Sequence, residues 1–282
     1  MRVFLAGATG AVGRVLLPLL LDAGHQVVAA SRTPAGVERL RGQGATGVQL
    51  DVLDPAAVVR ALTAAEPDAV LHQLTALSDY DLAANTRIRT EGTRNLVDAA
   101  LKAGARRIVA QSIAFAYEPG GSPADESTPL DLTAPESRAT TVAGVRALED
   151  AVAELPHHVV LRYGALYGPG TWYAPGGLMA DRLQEGRLRA DDGVSSFVHV
   201  GDAARAAVDA LGWPSGVVNV VDDEPAAARE WVPVLAAALG VPAPEPVGGR
   251  TGWERGARNA AARALGWQPR HPTWRTGFAA QD

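Results

Sequence analysis

Short apolar runs alternate with longer stretches of helical spacing through the first two thirds of the chain. Residues 2–7 (RVFLAG) read as a buried strand and 12–24 (VGRVLLPLLLDAG) as a helix closed by Gly24. Strands are expected again at 26–32 (QVVAASR), 48–52 (VQLDV), 68–76 (DAVLHQLTA), 106–112 (RRIVAQS) and 158–168 (HVVLRYGALYG). Between them, 54–65 opens on Asp54 as N-cap with Pro55 in the first turn, where a missing N–H costs nothing. Residues 86–104 form a long periodic stretch ending at Gly104, and a further helix is expected from about 138 to 154. Strands that are apolar on both faces, each followed by a helix, predict an α/β fold with a doubly wound parallel sheet of Rossmann type.

After Gly168 the pattern breaks. Residues 168–177 (GPGTWYAPGG) are a Pro/Gly/aromatic loop, the tryptophans all lie beyond position 171, and connections such as VPAPEPVGG (241–249) are proline-rich. This texture predicts a smaller, irregular subdomain over 169–282, with 197–222 packing back on the sheet formed by 1–168. Ligands of open α/β sheets bind at the carboxyl ends of the strands. The C-terminal part is therefore the expected place for substrate contacts.

Composition narrows the field. The chain has 282 residues, is 47% hydrophobic and 20% charged, and carries a net charge of −5, which offers nucleic acid no electrostatic footing. It has no cysteine, so disulfides, thiolate nucleophiles and Cys-ligated metals are excluded. The first apolar run is broken by glycines, and LLPLLL is short and flanked by Arg14 and Asp22. Neither a signal peptide nor a membrane span is expected, and a cytoplasmic location is. The pair His157–His158 lacks a third ligand nearby, and no metal site is expected.

The segment GATGAVG sets Gly7, Gly10 and Gly13 at three-residue spacing between the first strand and the first helix. Gly7 permits the tight turn, Gly10 lets backbone approach a pyrophosphate, and Gly13 brings the helix close to the strand. The N–H groups at the helix start then face the phosphates, making Thr9, Ala11 and Val12 part of the expected dinucleotide site. The second strand ends in Ser31 and Arg32 instead of the Asp or Glu that holds a ribose 2′-OH. A guanidinium binds a 2′-phosphate that a carboxylate would repel, so NADP(H) is expected over NAD. The alternative for Arg32 is an ordinary solvated loop residue. Asp51, with Val52, is expected near the adenine; a helix-capping role is its alternative.

At this point the chain resembles the extended short-chain dehydrogenase/reductases, the relatives of sugar-nucleotide epimerases and dehydratases, over nearly its whole length. The resemblance rests on GATGAVG, VLHQLTA (70–76), EGTRNLVDAA (91–100), VVLRYGALYGPG (159–170), FVHVGDAARA (197–206), VVNVVDDEP (217–225) and LGWQPRHPTWRTGF (265–278), in that order. It implies that Gln73, Leu74, Thr75 and Gln111 line the cofactor and that Tyr163 and Leu166 lie near the nicotinamide. It also implies a structural role for His199, Gly266, Trp267 and Pro269, and a possible homodimer through the helices of 86–107, whose charges otherwise mark a solvated face.

That family uses a Tyr for proton transfer and a Lys four residues later on the same helix face, with a Ser at the end of the fifth strand. With Glu149 as the reference, the Tyr position falls on Thr141 and the Lys position on Val145. No tyrosine in the chain is followed four residues later by lysine, and the only lysine is Lys102. Ser112 matches the family serine, with Ile113 as the competing register. Tyr117 is the candidate replacement donor, and loss of such an acid would slow the reaction by about 10²–10⁴-fold. Tyr117, Tyr167, Trp172, Tyr173, Met179 and Arg182 are the candidate substrate contacts; packing is the competing reading for the aromatic residues.

Three readings follow. The first is an atypical NADPH-dependent reductase of a small organic molecule, acting on a carbonyl, an imine or an activated C=C bond. The second is an NADP-binding sensor or scaffold without turnover. The third is a sugar-nucleotide epimerase or dehydratase, against which the absent tyrosine counts most.

Overall fold

The computed structural model describes residues 1–77 and 81–279. Its strands are β1 (Arg2–Ala6), β2 (Gln26–Ser31), β3 (Thr46–Gln49), β4 (Ala69–His72), β5 (Arg107–Ile113), β6 (His157–Tyr163), β7 (Ala165–Tyr167), β8 (Val194–Ser195), β9 (Phe197–His199), β10 (Gly216–Val220) and β11 (Ala226–Ala227). The helices that matter below are α1 (Ala11–Asp22), α2 (Pro34–Gly42), α3 (Pro55–Ala65), α4 (Leu82–Arg87), α5 (Thr93–Lys102) and α6 (Glu136–Val152). A π-helical turn (Ile88–Gly92) joins α4 to α5.

Two compact units divide the chain. The first comprises residues 1–112, 132–161 and 204–217; the second comprises 113–131, 162–203 and 218–282. The expected division at residue 168 is therefore replaced by an interleaved one, in which the boundary falls inside β5, β6 and β10.

A seven-stranded sheet runs in the order β10-β6-β5-β4-β1-β2-β3. The β1–β2, β2–β3, β1–β4 and β4–β5 pairs are all parallel. Strand order reverses at β1, whose neighbours β2 and β4 lie on opposite sides, and such switch points are where this architecture opens a crevice for ligands. Alternate strand residues explain the two covered faces. Phe4, Ala30, Val70, Ile108 and Val160 pack with Val58 and Leu62 of α3, Leu96 of α5 and Leu148 of α6. The intervening residues Val3, Leu5, Val27, Leu71 and Val109 are buried on the other face. Each fully buried Val or Leu contributes roughly 1.5–3 kcal/mol.

Three local differences from the expected elements have physical causes. The apolar run at 68–76 leaves the sheet after His72, because from Gln73 onward it forms the β4 turn against which Gly7 packs. Periodicity does not predict helix α2, yet its cap is legible: the Thr33 hydroxyl accepts from the Gly36 N–H at 3.1 Å and Pro34 opens the helix. The single helix expected at 86–104 contains the π-helical turn, where the Thr93 hydroxyl donates to the Ile88 carbonyl five residues earlier.

In the second unit, β8 pairs with β11 and β7 with β9. Its core is aromatic: Tyr167, Phe197, Trp231, Trp274 and Phe278 pack together. The closing segment is pinned by carboxylates. Asp202 accepts from the backbone N–H groups of Arg270 and His271, both at 2.9 Å, and Asp222 accepts from that of Trp274 at 3.0 Å. His199, Asp202 and His271 lie close enough to suggest a metal cluster. However, both Asp202 oxygens serve backbone donors, and His199 Nδ1 accepts from the Gly201 N–H. Among the described residues no helix is long and apolar enough to cross a membrane.

Candidate active site

The glycine loop closes the first unit's β1–α1 turn with almost no spare room. A Cβ on Gly7 would lie 2.4 Å from the Gln73 carbonyl oxygen, and one on Gly13 would lie 2.1 Å from the Gly7 carbonyl oxygen. Gly7 also sits at φ 93°, a conformation that costs other residues strain. Gly10 differs: its nearest neighbour is the Gly7 carbonyl at 3.4 Å, and it is exposed. It is the N-cap of α1, whose first turn carries no acidic side chain. The start of α1 therefore presents free N–H groups and a partial positive charge, with a bare backbone beside them that a diphosphate can approach. Thr9 and Ala11 are half-buried, and Val12 is buried. The residues present fit a dinucleotide.

At the end of β2, Ser31 is buried and its hydroxyl accepts from the Thr33 N–H at 3.3 Å. Arg32 is exposed, with its backbone carbonyl held by Gln49 at 3.2 Å, so the strand end is fixed while the side chain stays accessible. A Cβ on Gly36 would meet the Ser31 hydroxyl at 2.0 Å, which keeps the start of α2 bare beside Ser31. Asp51 accepts from the Leu53 N–H and remains exposed, while Val52 is buried and its carbonyl accepts from Asn95. Gln73 is buried, Leu74 and Gln111 are half-buried, and Thr75 is exposed.

Polar side chains are tightly committed at the ends of β4 and β5. The His72 Nδ1 accepts from the Leu74 N–H at 3.3 Å, which leaves Nε2 to donate to the Thr93 hydroxyl at 2.9 Å. Burial, with the Arg89 charge adding to it, lowers the His72 imidazole to about 4, so the ring is neutral. The Ser112 hydroxyl is buried and donates to Glu149 of α6 at 2.8 Å. Its hydroxyl is thus engaged within the first unit, by a bond that a catalytic role would have to exchange. On α6, Thr141 is half-buried and Val145 fully buried.

Within the second unit, Tyr117 is 1% exposed and its hydroxyl donates to Asn219 Oδ1 at 2.5 Å. The Arg162 guanidinium lies 4.8 Å from its ring centre. Burial pushes the phenol up to about 12, although Arg162 pulls the other way. A sealed, hydrogen-bonded and firmly protonated phenol is poorly suited to handing a proton to a ligand. We expect Tyr117→Phe to keep kcat within about threefold, well short of the loss of an acid catalyst. The same change leaves Asn219 without its donor, at a cost of ~1–3 kcal/mol, which thermal unfolding would register.

The other candidates in this unit are mostly packing residues. Tyr163 is buried with its hydroxyl donating to the Ala203 carbonyl at 3.3 Å, and Leu166 is half-buried in β7. Tyr167 is 0% exposed and Tyr173 stacks on Phe278 with centroids 5.9 Å apart, so both pack in the aromatic core. Met179 packs against the same core; Trp172 and Arg182 are half-buried.

Sequence reasoning misses Arg89. The charges of 86–107 suggest a solvated face, and Arg87 and Arg94 obey that reading, pairing with Glu91 and with Asp98 and Glu154. Arg89 is instead buried at 7% exposure, between them in sequence. Helical spacing places it on the face of Asn85, Thr93 and Leu96, all buried, but a charge within TRIRTEG reads as solvated.

Comparison with known proteins agrees with this architecture. The family model described as "NAD dependent epimerase/dehydratase family" matches residues 3–220. A Streptomyces protein named 3-diazoavenalumate denitrifying reductase is 46% identical, covering 99% of both chains. A 2-alkyl-3-oxoalkanoate reductase of Stenotrophomonas maltophilia (strain K279a) is 30% identical over 86% of this chain and 77% of its own. Among solved structures, the UDP-glucose 4-epimerase of Thermus thermophilus in complex with NAD is similar with a TM-score of 0.79 and 26% identity, covering 100% of this chain and 97% of its own. With the glycine loop, the parallel sheet and the match over 3–220 together, the chain belongs to the NAD dependent epimerase/dehydratase family, whose members use a nicotinamide cofactor.

Proposed function

We propose that this chain is an NADPH-dependent reductase that delivers a hydride to an already activated carbon of a small organic molecule, and that diazo compounds, reacting as diazonium ions, are its best substrate class. One observation carries the proposal. The Ser112 and Tyr117 hydroxyls are committed, to Glu149 and to Asn219, the family's Tyr position holds Thr141, whose alcohol is a far weaker acid than a phenol, and the Lys position is a buried valine. Such a site is ill-equipped to supply a proton.

Chemistry then selects the substrate. Reducing a carbonyl takes a hydride and a proton, and the proton donor typically contributes about 10²–10⁴-fold. Replacing a diazonium group takes a hydride alone. A C–H bond forms from the hydride pair, the C–N bond breaks with its electrons leaving on dinitrogen, and the charges cancel. A relative 46% identical bears a name that pairs a diazo substrate with denitrifying reduction, which supports the same choice.

The bound cofactor supplies the hydride. The chain's own residues do the rest. The start of α1 and bare Gly10 hold the diphosphate. Ser31 and Arg32 take the 2′-phosphate of NADPH, while neutral His72 fixes the amide of Leu74 in the β4 turn.

The test is isotopic. The protein is supplied with NADPH carrying deuterium at C4 and with 4-carboxybenzenediazonium, and background reduction is subtracted. We expect dinitrogen release, and deuterium at the ring carbon that lost it. Deuterium taken from D₂O with unlabelled NADPH, or cofactor binding without any turnover, would reject the hydride-only reading.

A further inference from the structure

We infer that Arg89 is the anchor for a carboxylate on the substrate. The inference deepens the reductase reading above and rests on it. Arg89 is 7% exposed, yet no described residue lies within hydrogen-bonding or ion-pair reach of its guanidinium. Its neighbours in sequence behave otherwise: Arg87 and Arg94 are half-exposed and paired with carboxylates. A guanidinium carries five N–H donors, and taking them out of water without acceptors is costly. Among the described residues, its nitrogens are not among the enclosed side-chain atoms that lack a hydrogen-bond partner, so a head without a partner retains an opening.

The side chain's surroundings locate it. Arg89 lies on the π-helical turn, a local feature often found at functional sites. Its stem runs beside Gly144 of α6. A Cβ on that glycine would lie 3.3 Å from the Thr86 methyl and 3.7 Å from both Cβ and Cδ of Arg89. The tight contact is with Thr86, and the Arg89 distances are those of ordinary packing, so the stem lies against α6. The charge is felt by His72 at the end of β4 and by Glu149, which holds Ser112 near the end of β5. The turn that carries Arg89 is tied to the end of β4 by the hydrogen bond between His72 and Thr93, whose hydroxyl donates to Ile88, and ligands of this architecture bind beyond the carboxyl ends of the strands.

Other anionic groups already have hosts. The cofactor diphosphate is matched to the start of α1 beyond β1, and a 2′-phosphate to Arg32 beyond β2. What remains is a substrate anion, and a guanidinium fork fits a carboxylate with two parallel hydrogen bonds. The names of both reductases similar to this chain specify carboxylate substrates, a diazoavenalumate and an oxoalkanoate.

The test compares an acid with its ester in the full-length protein. Turnover is measured with 4-carboxybenzenediazonium and 4-(methoxycarbonyl)benzenediazonium. Equilibrium binding to the protein–NADP⁺ complex is measured with cinnamate and methyl cinnamate. Arg89→Gln, Arg89→Lys and the parent chain are compared, with the NADPH dissociation constant and thermal midpoint as folding controls. We expect the parent to prefer each acid over its ester. Arg89→Gln should weaken the acids by about 10–100-fold, mainly in KM, with esters and NADPH changed less than about threefold and Arg89→Lys intermediate. A parent chain with no preference for acid in either assay overturns the assignment. So does an equal loss of acid and ester, or a matching loss of NADPH affinity, which would give Arg89 to the cofactor. A carboxylate preference in binding without diazonium turnover would leave Arg89 assigned and reject the proposed reaction.

Discussion

Gly7→Ala should remove nucleotide binding altogether, with NADPH affinity weakened by at least about 100-fold and the fold itself weakened by ~3 kcal/mol or more. Two costs act together. The new Cβ would sit 2.4 Å from the Gln73 carbonyl oxygen and 2.9 Å from the Leu74 nitrogen, both backbone atoms that cannot swing aside. The residue would also have to hold φ 93°. The β1–α1 turn and the β4 turn must then separate, and with them the start of α1 moves from its place beyond the strand. Gly10→Ala is the informative contrast. Its Cβ meets nothing closer than 3.4 Å, so thermal unfolding should stay near that of the parent. The methyl group still stands where the diphosphate approaches, so NADPH affinity should fall by about tenfold or more. Fluorescence titration and thermal unfolding of the two variants separate the structural glycine from the binding one. If Gly10→Ala bound NADPH as tightly as the parent, the diphosphate would have to lie elsewhere.

Arg32→Asp is expected to invert cofactor choice. On the proposed reading, in which Arg32 and Ser31 take the 2′-phosphate, the parent should bind NADPH far more tightly than NADH. Loss of the cation should cost NADPH about 100-fold, and repulsion from the new carboxylate adds to this. NADH should gain about tenfold from a carboxylate bond to the free ribose hydroxyl. The measurement is the ratio of the two dissociation constants. An unchanged ratio would make Arg32 a solvated loop residue and leave cofactor choice to other groups.

The sheet is legible in the sequence because its signals are local. Continuous apolar runs of four to seven residues, glycines at a strand–helix junction and Asp54–Pro55 at a helix start each act within a few residues. The cofactor loop is legible for the same reason. The interior polar bonds are not. Ser112 and Glu149 are 37 residues apart, and Tyr117 and Asn219 are 102 apart, so no spacing rule joins them. Sequence alone therefore leaves both hydroxyls available, where the fold has already committed them. Arg89 escapes for a subtler reason. Helical spacing sets Arg89 on the same buried face as Asn85, Thr93 and Leu96, but a charge flanked by Arg87 and Glu91 reads as solvated, and only the fold shows that it is buried. Tyr167 and Tyr173 suit a ligand or a core equally well as sequence, and only their ring contacts decide it.

The buried valine at position 145 also bears on direction. A dehydrogenase runs backwards through the same groups that run it forwards: the residue that gives a proton to an alkoxide later removes one from an alcohol. With Val145 in the core and Thr141 at the Tyr position, α6 holds neither the phenol nor the ammonium with which the family takes a proton from an alcohol. On the proposed reductase reading, the chain is a check valve for reducing equivalents, drawing them from its reduced cofactor when a strong electrophile arrives and returning none.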